Sequence, residues 1–313
     1  MPFVLRRLLT VAPTVLVVAT VTFIALQVIP GDIAQIMLGT DARPEDVTRL
    51  RREFGLDRPI VVRYLEWIAN LARGDLGTSI SYQEPVTHLI RQRLPVTVSV
   101  AFTAMLVALA IALPLGIAAA RRAWSALDLA VLAGSQMGLA VPTFWMGILL
   151  LLGFAAARPI FPLQGYVALT RDPFEWLRHL ALPAIALGIE RAAALSRLVR
   201  ASVLDELNRD YVRTARGKGL AGGTIVRRHV LRNAFIPVLT VAGLQLGFLL
   251  GGTIVLEQVF GLPGLGRLML QGIYARDLVV VQGAVITIAI AFALLNLIVD
   301  LLYAAVDPRI TYQ

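Results

Sequence analysis

The residues able to do chemistry in this 313-residue chain are few, and their spacing excludes most chemistries. No G-x-x-x-x-G-K-[ST] run offers a backbone cradle for nucleotide phosphates, so no ATP site is expected on this chain. His88, His179 and His229 are far apart with no ligand-like spacing, and neither a Ser-His-Asp set nor a paired-carboxylate arrangement can be argued. Cysteine is absent, which removes disulfides and thiolate metal sites. Polar groups concentrate instead in Asp205–Pro237, DELNRDYVRTARGKGLAGGTIVRRHVLRNAFIP. There Arg209, Arg213, Arg216, Lys218, Arg227, Arg228 and Arg232 stand against only Asp205, Glu206 and Asp210. Such a run suits docking rather than catalysis.

Its two halves, Asp205–Arg216 and Thr224–Phe235, favour helix, while Gly217, Gly219, Gly222 and Gly223 between them make a continuous helix costly. The pattern predicts a helix, a glycine-permitted bend and a second helix running into the next apolar span: a rigid elbow. The bland alternative is a basic loop that only orients a membrane protein, and basic charge alone does not exclude it.

The elements that must position the elbow are apolar. Hydrophobic residues make up 58% of the chain and the mean hydropathy is +0.75, above an ordinary soluble domain. The net charge of +9 is accounted for by loops that orient the chain in a membrane, and no nucleic-acid motif accompanies it. The expected fold class is all-α polytopic membrane protein with six transmembrane helices. The first is an uncleaved span over Leu8–Ile29, whose 22 residues reach about 33 Å as a helix. Then come Leu94–Ala120, with Pro95 where it begins, and Leu127–Ala157, kinked at Pro142 with Thr143, Phe144 and Trp145 beside the kink. These aromatics either line a passage or pack. Leu180–Val203 carries Glu190, Arg191 and Arg197, which face the bundle interior or snorkel at its mouth. Ala234–Leu256 is rich in small residues (Ala242, Gly243, Gly247, Gly251, Gly252) that permit close helix approach to a partner, to a passage or within the subunit. Leu278–Val306 completes the set.

Gly31–Arg93 differs, with nine acidic and nine basic residues and no spanning run. Helices are predicted over Pro44–Phe54, stopped by Gly55, and over Pro59–Arg73, stopped by Gly74. The segment reads either as a solvated spacer or as a small helical extracytoplasmic domain between the first and second spans. The resulting domains are 1–30, 31–93, a core of five spans over 94–306 containing the elbow 205–233, and a tail 307–313. With the amino terminus inside, the short inner segments hold 13 basic residues and the short outer loops 5. Both termini and the elbow are therefore expected in the cytoplasm. No row of carboxylates or histidines crosses the bilayer and no internal repeat is obvious, which disfavours a proton-driven secondary transporter.

The elbow also resembles a known family. Arg213-Thr214-Ala215, three residues and Gly219 resemble the "EAA---G" loop of binding-protein-dependent ATP-binding-cassette importers. DYVRTARGKGL and HVLRNAFIP are similar to their dipeptide/oligopeptide/nickel branch, as are PGD, FGLDRP, GDLGTS, FGLPGLGRL and the DPRI ending. Arg213 and Thr214 replace the Glu and Ala of the general motif, and Ile236-Pro237 comes later than that motif has it; both departures resemble the peptide branch. The resemblance implies a type I importer permease fold in a bacterial or archaeal inner membrane. It implies as partners a second homologous permease forming a heterodimer, one or two ATPase subunits using ATP and Mg, an extracytoplasmic substrate-binding protein and the lipid bilayer, with no cofactor on this chain and no nucleic acid. Arg213, Thr214, Ala215, Gly217, Lys218, Gly219 and Leu220 would contact the ATPase. Pro142, Phe144, Glu190, Arg191 and Gln245 are candidates for the pathway or gate. Asp75, Gly77, Pro263, Gly264 and Gly266 are candidates for binding-protein contact. Peptides lead as substrate, with nickel, glutathione and sugars as alternatives.

Overall fold

The structure, a computed structural model, describes residues 2–28, 33–39, 43–53, 57–157 and 159–306. The DPRI ending, Arg158, Gly55 and the PGD turn lie wholly or partly outside them. In chain order the helices are α1 (Pro2–Val28), α2 (Ile33–Leu38), α3 (Pro44–Glu53), α4 (Ile60–Ala72), α5 (Val86–Arg121), α6 (Ala126–Ala140) and α7 (Thr143–Leu151). A π-helical turn, Leu152–Ala156, follows, and then α8 (Pro173–Leu207) and α9 (Asp210–Gly217). Next, α10 (Gly222–Ile225), a second π-turn (Val226–Val230) and α11 (Leu231–Gly252) run on without a break. The last are α12 (Ile254–Val259), α13 (Leu265–Tyr274) and α14 (Leu278–Val306). A single bridge, Thr78 to Pro85, is the only strand-like pairing among the described residues.

Among the described residues, Val86–Arg121, Gly222–Gly252 and Leu278–Leu301 are long and apolar enough to cross a membrane. A fourth span arises if α6 and Thr143–Ala156 count as one, but they are bent by 92°. The expected kink at Pro142 is therefore a break. Val141, which precedes the proline, is excluded from the helical region and sits extended at ψ 120°, so α6 stops and α7 restarts in a new direction.

The contacts divide the chain into two compact units. The first, Met1–Thr97 with Pro263–Leu294, has a core of Val86, Leu89, Ile90, Leu265, Leu268 and Val280. That core explains why α5 begins at Val86 and not near Leu94. Val86, Leu89 and Ile90 form one buried helical face, and its burial carries the helix through Pro95. The second unit, Val98–Leu262 with Leu295–Gln313, is organised around α8. Glycines allow its helices to touch: a Cβ on Gly188 would meet Val107 Cγ1 at 2.6 Å, and one on Gly116 would meet Val199 Cβ at 2.7 Å. Gly243 is used in the same way against Val299, at 2.3 Å, so it serves packing within the subunit, whereas Gly251 and Gly252 face open space.

Candidate functional site

The elbow takes in the end of α8, and two residues, Asn208 and Arg209, separate that helix from α9. The sequence predicts one helix over Asp205–Arg216; the structure breaks it at Asn208, and Arg209 is extended at ψ 150°. Asn is a poor helix-interior residue because its side chain offers the backbone alternative bonds. Tyr211 of α9 then ties its helix to α8 and α11: its hydroxyl donates to Glu206 and accepts from Asn233 Nδ2 at 3.4 Å. Burial, and next the Glu206 carboxylate, push the Tyr211 phenol above its ordinary pKa.

Two residues of α9 point inward. Val212 and Ala215 join Val199, Val203, Ile225, Val230, Ala234 and Val238 in one buried cluster. Its other face is open: Arg213, Thr214, Arg216, Gly217, Lys218, Gly219 and Leu220 are all exposed. α9 closes with a Schellman motif, in which Leu220 N–H donates to the Ala215 carbonyl at 3.2 Å and Gly219 N–H to the Arg216 carbonyl at 2.9 Å. This requires the left-handed backbone of Gly219, φ +75°. Of the seven expected contact positions, Ala215 alone is buried: it is 9% exposed and packs inside the elbow. Gly217, Gly222 and Gly223 lack a positive φ, and a Cβ added at any of them would meet nothing within 4 Å, so nothing in the chain itself demands glycine there.

Sequence reasoning misses the tie just before the elbow. The carboxylate of Asp128, at the start of α6, accepts from Arg200 Nε and, at 2.6 Å, from Arg200 Nη2 on α8. It also accepts from Trp124 N–H at 2.9 Å, which holds Trp124 in a left-handed conformation, φ +68°. Ser135 and Ser196 join the same two helices at 3.0 Å. The Asp128–Arg200 pair is 72 residues apart in sequence, and no local pattern marks it.

The candidate pathway residues are less concentrated. Pro142 caps α7, and Phe144 and Trp145 are 45% and 49% exposed, so the chain covers only about half of each aromatic. Glu190 Oε1 lies 3.8 Å from Arg191 Nη2, both half-buried. Two buried atoms, Arg191 Nε on α8 and Gln245 Oε1 on α11, find no hydrogen-bond partner among the described residues.

In the first unit, the loop bearing Asp75 and Gly77 and the segment bearing Pro263, Gly264 and Gly266 are both fastened by buried polar atoms. Asp277, 1% exposed, accepts from Ser79 Oγ at 2.6 Å, from Ser81 N–H at 3.0 Å and from Val280 N–H at 3.3 Å. Thr97 Oγ1 accepts from Leu265 N–H at 2.8 Å. Asp75 accepts from Gly77 N–H at 2.8 Å and is exposed. Gly264 and Gly266 are both buried, because the chain there turns inward to seat Leu265 and Leu268. The outward residues nearby are Tyr274, 80% exposed, and Ile273, 50% exposed.

Residues 112–312 match the family described as binding-protein-dependent transport system inner membrane component. Residues 1–101 match the corresponding amino-terminal family, binding-protein-dependent transport system membrane component, N-terminal. A peptide transport system permease protein of Brucella suis is 41% identical over 99% of both chains. The oligopeptide transport system permease protein AppB of Bacillus subtilis is 37% identical and the glutathione transport system permease protein GsiC of Salmonella typhi 39%, again over 99% of each chain. A chain of the inward-facing MetNI methionine ABC transporter aligns with a TM-score of 0.54 at 18% identity, covering 70% of this chain and 96% of its own, a likeness of fold.

Proposed function

This chain belongs to the family of binding-protein-dependent transport system inner membrane components, and from that premise we propose that it is the permease subunit of an ATP-driven importer of di- or oligopeptides. The ATPase of such a system is a separate subunit, so this chain supplies the passage and not the hydrolysis. The peptide, oligopeptide and glutathione relatives, the last named for a tripeptide, support peptides over nickel or sugars.

The observation that carries the reading is the elbow: Arg213, Thr214, Gly217, Lys218, Gly219 and Leu220 stand exposed on a capped helix whose inner face is buried. In the proposed arrangement there are six spans, both termini and the elbow are cytoplasmic, and Gly31–Arg93 lies outside. A second homologous permease completes the passage, two ATPase domains sit below and a binding protein docks above. Closure of the ATPases displaces α9. Because Gly222–Gly252 is one helical run and α8 enters the elbow from the other side, that displacement rocks α8 and α11 between inward and outward openings. Arg191, Gln245 and Glu190 are proposed to face the passage, where water or the peptide backbone satisfies the unpaired Arg191 and Gln245 atoms.

Reconstitution tests this. The chain, purified with its native companions and placed in vesicles, is expected to take up labelled peptides only with ATP on the elbow side and the binding protein on the other. A chain that purifies alone and moves solute without ATP overturns the proposal and points to a secondary transporter.

A further inference from the structure

We infer that α4 lies in the outer membrane–water interface, with one long side embedded in lipid. The inference rests on the reading of α1 as a membrane span. At 13 residues α4 is about 20 Å long, too short to cross the roughly 30 Å hydrocarbon core. With about 100° per residue, its side chains divide into three arcs. Tyr64 and Trp67 face α1: Phe23 contacts both rings, at 5.3 and 5.5 Å between centroids, and Tyr64 Oη lies 2.6 Å from Thr20 Oγ1. Arg63, Glu66 and Asn70 form a polar arc, in which Glu66 pairs with Arg58 at 2.8 Å and Arg63 reaches Gln27 at 3.3 Å. Val61, Leu65, Ile68 and Ala72 form the third, with Val61 65% and Leu65 59% exposed. No residue of α4 is fully buried.

An apolar arc of this kind, free of charge and flanked by a fully polar one, is the pattern of a helix lying at a lipid surface. Three observations favour lipid over a protein partner. α4 packs against α1 at Thr20, Phe23 and Gln27, where the apolar stretch Ala12–Ala25 of that helix ends. α1 itself leaves Val17, Val21 and Ile24 more than half exposed, as a lipid-facing helix does. Tyr64 and Trp67, rings with one polar tip, sit at that same level, which is where membrane interfaces collect them. Gly74, φ +80°, then turns the chain away from α4 into the loop that Asp277 fastens, so the helix would anchor that loop at the membrane surface.

The absence of native cysteine makes the test direct. Single cysteines at Val61, Leu65, Glu66 and Asn70, and at Val17 and Val21 as references, are spin-labelled in the complete transporter, whose other subunits carry no reactive thiol. The complex is reconstituted in phosphatidylcholine–phosphatidylglycerol vesicles, and collision with oxygen is compared with collision with nickel ethylenediaminediacetate. Labels at 61 and 65 are expected to meet oxygen and be shielded from nickel, at depths of about 5–10 Å, while those at 66 and 70 meet nickel. Nickel access at 61 and 65 places the arc in water, and shielding from both reagents places it under protein; either overturns the inference. Failure of positions 17 and 21 to report deep lipid overturns the span on which it rests, and is read separately.

Discussion

The elbow and the Asp277 cluster are both glycine-punctuated segments outside the long apolar helices, yet they are held in opposite ways. The elbow is held by an apolar cluster beneath it and by backbone bonds between near neighbours, such as Leu220 to Ala215. The Asp277 cluster is held by one buried carboxylate whose bonds to Ser79 and Ser81 close gaps of 198 and 196 residues. The first arrangement leaves an outward face free for contact. The second consumes its residues in its own construction, which is why Gly264 and Gly266 are buried while Arg213 and Lys218 are open. An apolar platform degrades in steps as contacts are trimmed; a polar staple fails when its one acceptor is lost.

Substitutions can break or sharpen that contrast, read first by thermal unfolding of the solubilised protein. The greatest loss is expected from Asp128→Ala, which asks whether the elbow side also leans on a distant carboxylate. Leaving Arg200 without its buried partner should cost about 3–5 kcal/mol. Asp277→Ala orphans the Ser79, Ser81 and Val280 donors and should cost about 3 kcal/mol, with Asp277→Asn recovering part of it. Val212→Ala trims the elbow's apolar support and should cost about 2 kcal/mol. Gly219→Val puts a branched side chain at φ +75° and should cost only about 1–2 kcal/mol, yet abolish peptide uptake while the transporter still assembles. Wild-type uptake by that variant would contradict the role given to the elbow. Arg213→Ala, at a side chain 75% exposed, should change stability by less than about 0.5 kcal/mol while uptake falls several-fold.

The same contrast explains what the sequence makes legible. Gly217 to Gly223 announce a bend, because that signal acts within one or two helical turns, whereas the burial of Ala215 beside Val212 is not anticipated: the sequence reading takes Ala215 as a contact position, and the cluster that covers it is completed by Val199, Val203 and Val230. The stop at Gly74 and the boundaries of α3 and α4 are equally local. Asp128, Thr97 and Asp277 are single polar residues whose partners are set by tertiary packing, and nothing in their neighbours distinguishes them from solvated ones. The early start of α5 escapes the sequence for the same reason: the face that stabilises Val86–Ile90 is completed by Leu265, Leu268 and Val280. Pro142 is legible as a disturbance, but its 92° turn depends on Val141 taking the extended state and on α7 finding a close seat. That seat is at Gly147, where a Cβ would meet Leu256 at 2.9 Å.

The most direct measurement uses two adjacent residues of α9. Cysteines at Thr214, exposed, and Ala215, buried, are placed singly in the cysteine-free chain and treated with a short thiol-to-amine crosslinker in the native membrane. The elbow reading predicts that Thr214→Cys captures an ATPase subunit and that Ala215→Cys captures nothing. Capture at neither position, with the transporter assembled and active, contradicts it.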